Sequence, residues 1–152
     1  AIYIYRKQLQ FWDTLDALTP LFAVMAVAIS LSHLASGSAF GKPTDLPFGI
    51  HLWGDIRHPS QIYEFILASL ILVAIYFIDH TRWSSVPGII FLIFIALTAF
   101  SRLLLEAFRG DSILVGGGFR AAQLIAWLAI AVSLAIIAWR FNTGTKAEET
   151  GE

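Results

Sequence analysis

Four long apolar stretches, separated by more polar ones, organise the chain. They run from about Leu15 to Leu34, Ser60 to Ile78, Pro87 to Phe108 and Ala121 to Phe141. Each is close to the roughly 20 mostly apolar residues that an α-helix needs to cross a bilayer. The pattern predicts an all-α integral membrane protein with four transmembrane helices in a single transmembrane domain over residues 1–152. Pro20 and Pro87 sit near helix starts, where a missing N–H costs little. Trp127 and Trp139 fall towards the two ends of the fourth span. The segment Gly37 to Arg57 combines Gly41, Gly49 and Gly54 with Pro43, Pro47, Phe40, Phe48 and Trp53. Turn formers mixed with aromatics predict an ordered interfacial loop between the first two spans. Gly116-Gly117-Gly118 predicts a flexible turn before the fourth span, and the polar tail Asn142 to Glu152 is expected to be disordered.

Composition agrees with this picture. Only 14% of residues are charged, against about 25% in average soluble proteins. The net charge of −1 gives no polybasic surface for nucleic acid. There is no cysteine, which excludes disulfides, thiol catalysis by this chain and cysteine-based metal sites. No metal ligand set or cofactor is implied. The chain opens on Ala-Ile-Tyr-Ile-Tyr, which reads as the tail of an apolar helix, so a processed chain or part of a longer protein is expected. With four spans both termini share one side, carrying Arg6, Lys7, Arg82, Arg140 and Lys146. The other side carries Lys42, Arg57, Arg109 and Arg120, one cation fewer. The positive-inside rule then places the termini in the cytoplasm.

The chemistry lies in two polar strings. Arg57-His58-Pro59-Ser60-Gln61, then Tyr63-Glu64, stand at the mouth of the second span. At the end of the third, Arg102, Glu106 and Arg109 are spaced by four and then three, on one helical face. A charge inside a bilayer costs roughly 2.5–3.5 kcal/mol on insertion scales, so this stripe is expected to face protein or a wet cavity. Counting spans brings both strings, and Gln123 at the start of the fourth span, to one membrane face. A cavity there would hold arginines, carboxylates, an imidazole and amides. The planar fork of arginine suits phosphate, and an anionic phospholipid headgroup is the natural ligand. Plainer readings exist for each part. His58-Pro59 can simply start a helix, the arginine stripe can be an ion pair with snorkelling ends, and His51 can be a solvated loop residue. The second and fourth spans hold no mid-span charge, which argues against ion translocation.

The string Arg57 to Glu64 resembles the Arg-His-Pro-Ser-Gln-Leu-Tyr-Glu signature of the bacterial prolipoprotein diacylglyceryl transferases. Phe100 to Arg109 is similar to that family's later helix bearing Arg102, Glu106 and Arg109, and Gln123 falls where the family opens its last helix on glutamine. Asp16 to Pro20 and Gly41 to Pro47 also resemble family segments, in order, so the likeness runs from about Asp13 to Arg140. It implies transfer of a diacylglyceryl group from phosphatidylglycerol to the thiol of a lipobox cysteine, at the outer face of the inner membrane. It implies that Arg102 binds lipid phosphate or stabilises the leaving glycerol phosphate, that Glu106 orients it, and that His58, Gln61, Tyr63 and Glu64 frame the headgroup cavity. Arg57, Arg109 and Gln123 complete the expected lipid-headgroup set, and His58 joins Arg102 and Glu106 as catalytic if the protein is active.

The chain also departs from the family. The early helices with a catalytic His-Gly-Gly histidine are absent, an expected arginine falls on Ser30, and an expected acidic residue falls on Ser38. Serine cannot make arginine's two-pronged phosphate contact. His33 reads as a buried polar residue with a hydrogen-bond partner, or as a substitute base. The preferred reading from sequence is a degenerate phospholipid-binding accessory subunit of a larger membrane complex, with other membrane subunits as partners. The alternative is an active transferase whose N-terminal helices lie outside this chain.

Overall fold

A computed structural model describes residues 10–79, 86–110, 114–115 and 119–149. The apolar residues 1–5, Arg82 and the triple glycine at 116–118 lie outside the described residues. The fold is all-α and membrane-spanning, with four helices among the described residues that are long and apolar enough to cross a bilayer. They are α1 (Phe11–Ser36), α2 (Ser60–Asp79), α3 (Ile89–Glu106) and α4 (Ala121–Glu149). Between α1 and α2 lies a hairpin of β1 (Ile50–Leu52) and β2 (Asp55–Arg57). A second short hairpin pairs β3 (Leu114–Val115) with β4 (Phe119–Arg120) just before α4.

The helix ends differ from the sequence expectation in three places. The first helix begins at Phe11, so Pro20 lies inside it rather than at its start. Proline there cannot donate to the carbonyl four residues back. The third helix stops at Glu106, so Arg109 has left the helix and does not share its face with Arg102. The fourth helix continues to Glu149, so the segment read as a disordered tail is helical through that residue.

α3 is the inner helix: 44% of its spanning window is buried, against 17% or less in the other three. The apolar core of Ala23, Ile71, Ile75, Ile90 and Phe94 joins α1, α2 and α3. Those positions fall in the first half of α1 and α3 and the second half of α2, so the core fills the end of the bundle away from the polar strings. The outward faces, with Leu21, Val24, Leu70, Ile125, Leu128 and Leu134 exposed, suit lipid rather than water.

The α1–α2 loop is built as a clasp. Residues 40–44 run between the end of α3 and the start of α2. Lys42 N–H donates to Phe108 O at 2.8 Å and Gly110 N–H to Phe40 O at 3.0 Å on one side. His58 N–H donates to Lys42 O at 3.0 Å and Thr44 N–H to Ile56 O at 2.9 Å on the other. Gly41 is required by this crowding, because a Cβ there would sit 2.3 Å from His58 O. The hairpin turns tightly at Trp53 and Gly54, both with positive φ, as two-residue hairpin loops favour. Trp53 Nε1 then donates to Gly37 O at 3.1 Å, tying the hairpin tip to the end of α1.

Candidate functional site

The up-and-down order of the helices brings the C-terminal ends of α1 and α3 beside the N-terminal ends of α2 and α4. A chain of charge crosses this end. His33, near the end of α1, places Nδ1 2.8 Å from Glu64 Oε2 near the start of α2. The other oxygen of Glu64 lies 3.8 Å from Arg102 Nη1 in the last turns of α3. One carboxylate therefore bridges an imidazole and a guanidinium from two other helices. The three side chains are 30%, 18% and 39% exposed, so all can be reached. A separation of 3.8 Å is an ion pair and not a hydrogen bond. Among the described residues nothing hydrogen-bonds the Arg102 guanidinium, whose donors stay available for a ligand.

Arg102 stands on the wall between two cavities. One, of about 260 Å³, is lined by Ala26 and Ile29 of α1, Glu64, Ala68 and Ile71 of α2, and Thr98, Ser101, Arg102 and Leu105 of α3. The other, of about 410 Å³, lies between Ile95, Thr98, Ala99 and Arg102 of α3 and Ala122, Ile125, Ala126 and Ala129 of α4. Both are apolar apart from a few groups beside Arg102. That combination fits a molecule with hydrocarbon chains and an anionic head. Thr98 lines both cavities, and its Oγ1 is buried without a hydrogen-bond partner.

The expected single cavity is divided. His58 and Tyr63 do not join Glu64 and Arg102. They line a third cavity of about 500 Å³ with Leu46, Phe48, Ile66, Leu67, Leu104, Leu105 and Phe108. There the rings of His58, Tyr63 and Phe108 pack edge to face at 5.4–5.5 Å from Phe108. The physical reason is helical geometry: neighbouring positions on a helix point about 100° apart, so Tyr63 and Glu64 address different sides of α2. His58 Nδ1 is buried with no hydrogen-bond partner.

Arg102 and Glu106 also part company. Glu106 is 2% exposed, and its nearest described cation is Arg120, 4.0 Å away at the foot of α4. Gln61 is 1% exposed, with Oε1 unpartnered. Arg109 is placed in the clasp, its backbone bridged to Gly41. Arg57 is held within the hairpin, where it donates to Leu52 O at 3.1 Å, Gly41 O at 3.3 Å and Asp55 Oδ2 at 3.0 Å. Its guanidinium also lies over the Phe40 ring, so these contacts serve the loop. Gln123 is half-buried in the first turn of α4. Ser30 is fully buried and donates to Val27 O at 2.7 Å, within its own helix.

Two members of the cluster, His33 and Arg120, were absent from the expected headgroup and catalytic set, although the sequence marks His33 as a polar residue with a hydrogen-bond partner or a substitute base. Span counting puts both on the right membrane face, but only packing decides which side chains reach Glu64 and Glu106. His51 lies exposed on β1. Among the described residues no group of histidine and acidic side chains is arranged to hold a metal.

The fold and this site define a multi-pass membrane protein with a polar cluster set among lipid-sized cavities. A model of the family described as prolipoprotein diacylglyceryl transferase matches residues 1–139. The chain therefore belongs to the prolipoprotein diacylglyceryl transferase family. Bacterial relatives named phosphatidylglycerol–prolipoprotein diacylglyceryl transferase include proteins of Nostoc sp., Nitrosomonas europaea and Wolinella succinogenes. They are 25%, 28% and 28% identical, over 99%, 95% and 90% of this chain. The chain spans 60%, 54% and 50% of their respective lengths.

Proposed function

We propose that this chain carries the phospholipid-headgroup site of a phosphatidylglycerol–prolipoprotein diacylglyceryl transferase. The observation that carries the reading is Arg102: a reachable guanidinium, held by Glu64 through a single loose ion pair, on the wall between two apolar cavities. Arginine binds phosphate through two parallel hydrogen bonds, and the cavities would take the acyl chains attached to it. In the transfer, a peptide thiol bonds to the glyceryl carbon as the carbon–oxygen bond to glycerol phosphate breaks. Negative charge then gathers on the leaving phosphate, where Arg102 stabilises it. Glu106, charge-balanced by Arg120, fixes the last turn of α3 beneath Arg102. Gln61, Arg109 and Gln123, at the same end, are further headgroup contacts in this reading. His58 and Tyr63 frame the adjoining cavity. Arg57 contributes by holding the loop.

The partners are phosphatidylglycerol and a prolipoprotein, and the membrane is the bacterial inner membrane with the site on its outer face. The small excess of cations on the termini side supports cytoplasmic termini, which reporter fusions at either end would test. The central test is phosphatidylglycerol binding and transfer to a lipobox peptide by the full-length gene product in vesicles. Binding of phosphatidylglycerol over phosphatidylcholine, lost in R102A, is expected. Equal binding of both lipids by wild type and R102A would overturn the reading.

A second reading, a lipid-binding accessory subunit without transfer activity, is favoured by Ser30. It stands where the family resemblance places an arginine, and its hydroxyl is committed to Val27 O. Phosphatidylglycerol binding without thioether product, together with co-purifying membrane subunits, would select it.

A further inference from the structure

We propose that His33 and Glu64 form a proton-accepting dyad at this site, with the imidazole taking the thiol proton of the acceptor peptide. The inference rests on the transferase reading and names a base for it. An ionised carboxylate can only accept hydrogen bonds. The 2.8 Å contact between Nδ1 of His33 and Oε2 of Glu64 therefore fixes the proton on Nδ1. In the neutral imidazole Nε2 then carries the lone pair, and among the described residues nothing hydrogen-bonds it. This is the tautomer a general base needs, and the carboxylate stabilises the imidazolium that forms when the proton arrives.

The position fits as well as the tautomer. The His33 side chain is 30% exposed, so water alone could satisfy it, and Glu64 is not needed merely to rescue a buried imidazole. Glu64 is itself held from its other oxygen by Arg102 at 3.8 Å. One carboxylate thus links the group that would take the proton to the group that would face the leaving phosphate. The balance closes within the site. The thiol proton moves to Nε2 of His33 and the sulfur–carbon bond forms. The carbon–oxygen bond breaks, and its electron pair leaves on glycerol phosphate beside Arg102. The thiol is that of the acceptor peptide. The charged groups facing the imidazole are Glu64 from α2 and, beyond it, Arg102 from α3.

The test uses the full-length gene product in phosphatidylglycerol vesicles with a cysteine-bearing lipobox peptide. H33Q is expected to lower kcat/KM by about 10²- to 10⁴-fold, the usual range for a general base. Phosphatidylglycerol binding should stay within about twofold, and the limb of the pH–rate profile that rises as a base deprotonates should disappear. E64Q should weaken turnover by less and move that limb. Should H33Q also lose lipid binding, H33N and E64Q carry the test through the same profile. Wild-type turnover with an intact pH limb in a lipid-binding His33 variant overturns the dyad. A wild-type protein that binds phosphatidylglycerol but transfers nothing also overturns it, and leaves the headgroup site standing. A wild-type protein that does not bind phosphatidylglycerol overturns the headgroup site and the dyad with it.

Discussion

The two ends of the bundle both carry buried or half-buried charge, yet they use it differently. At the end where α1 and α4 meet the start of α3, the described polar contacts tie one helix to another. Asp16 of α1 accepts from the backbone N–H groups of Gly88 and Phe91, so it caps α3 from a neighbouring helix. α3 supplies no side-chain cap of its own, and its free N–H groups would otherwise be stranded. Arg140 of α4 donates to Pro87 O and lies 4.3 Å from the centre of the Trp12 ring. Gly88, at φ 87°, fits under Trp12 only because it lacks a Cβ. At the opposite end His33, Glu64 and Arg102 form a chain that stops at an available guanidinium. Thr98 Oγ1, His58 Nδ1 and Gln61 Oε1 are buried there without partners. Buried polar groups are normally satisfied, so a cluster of exceptions marks the end built to take something else. The first end holds helices together, and the second carries the candidate site.

Breaking each end should therefore give a different signature. The largest effect is expected from R102A, which should cut transfer about 10²- to 10³-fold, as loss of a donor to developing charge does. Its melting temperature in detergent should barely move, because Arg102 is tied to the fold by one 3.8 Å pair. A large fall in melting temperature would erase the contrast between the ends. Next comes G41A, which drives a Cβ into the His58 carbonyl. A destabilisation of about 1–3 kcal/mol, as for other overpacked sites, should appear in thermal unfolding, and turnover should fall with it because the clasp abuts the site. D16A should cost about 0.5–2 kcal/mol, the range for a lost N-cap, and leave phosphatidylglycerol affinity unchanged. Weakened lipid binding in that variant would show that the ends are coupled. The smallest effect is expected from T98V. Its hydroxyl has no partner, so removing it should leave stability unchanged or raise it, since an unpaired buried polar group carries an uncompensated desolvation cost. A clear fall in lipid affinity in T98V would identify the hydroxyl as a headgroup contact.

Much of the fold was legible in the chain, and particular residues show why. The four apolar stretches mark the helices because a bilayer accepts little else. Pro20 was misplaced because Asp13 and Thr14 look like a preface to a helix, whereas they lie in its first turn. Nothing in the spacing of Asp16 says that it caps α3, since its partners lie more than 70 positions away. The i, i+4 spacing of Arg102 and Glu106 suggests a mutual pair. The structure gives each a partner on another element, Glu64 of α2 for Arg102 and Arg120 of β4 for Glu106, because ion pairs across packed elements compete with those along one helix.

The sequence by itself determined four membrane-spanning stretches, membership of the prolipoprotein diacylglyceryl transferase family, and the gathering of the two motif strings, Arg57 to Glu64 and Arg102 to Arg109, at one membrane face. Span number, charge cost in lipid and ordered motifs are properties of the chain, and each is readable along it. Tertiary structure alone decided that Glu64 joins His33 to Arg102, that Tyr63 turns to another cavity and that Arg57 belongs to the loop. Those outcomes depend on the rotation of each helix about its axis and on side-chain reach of a few ångströms, which packing sets and periodicity does not record.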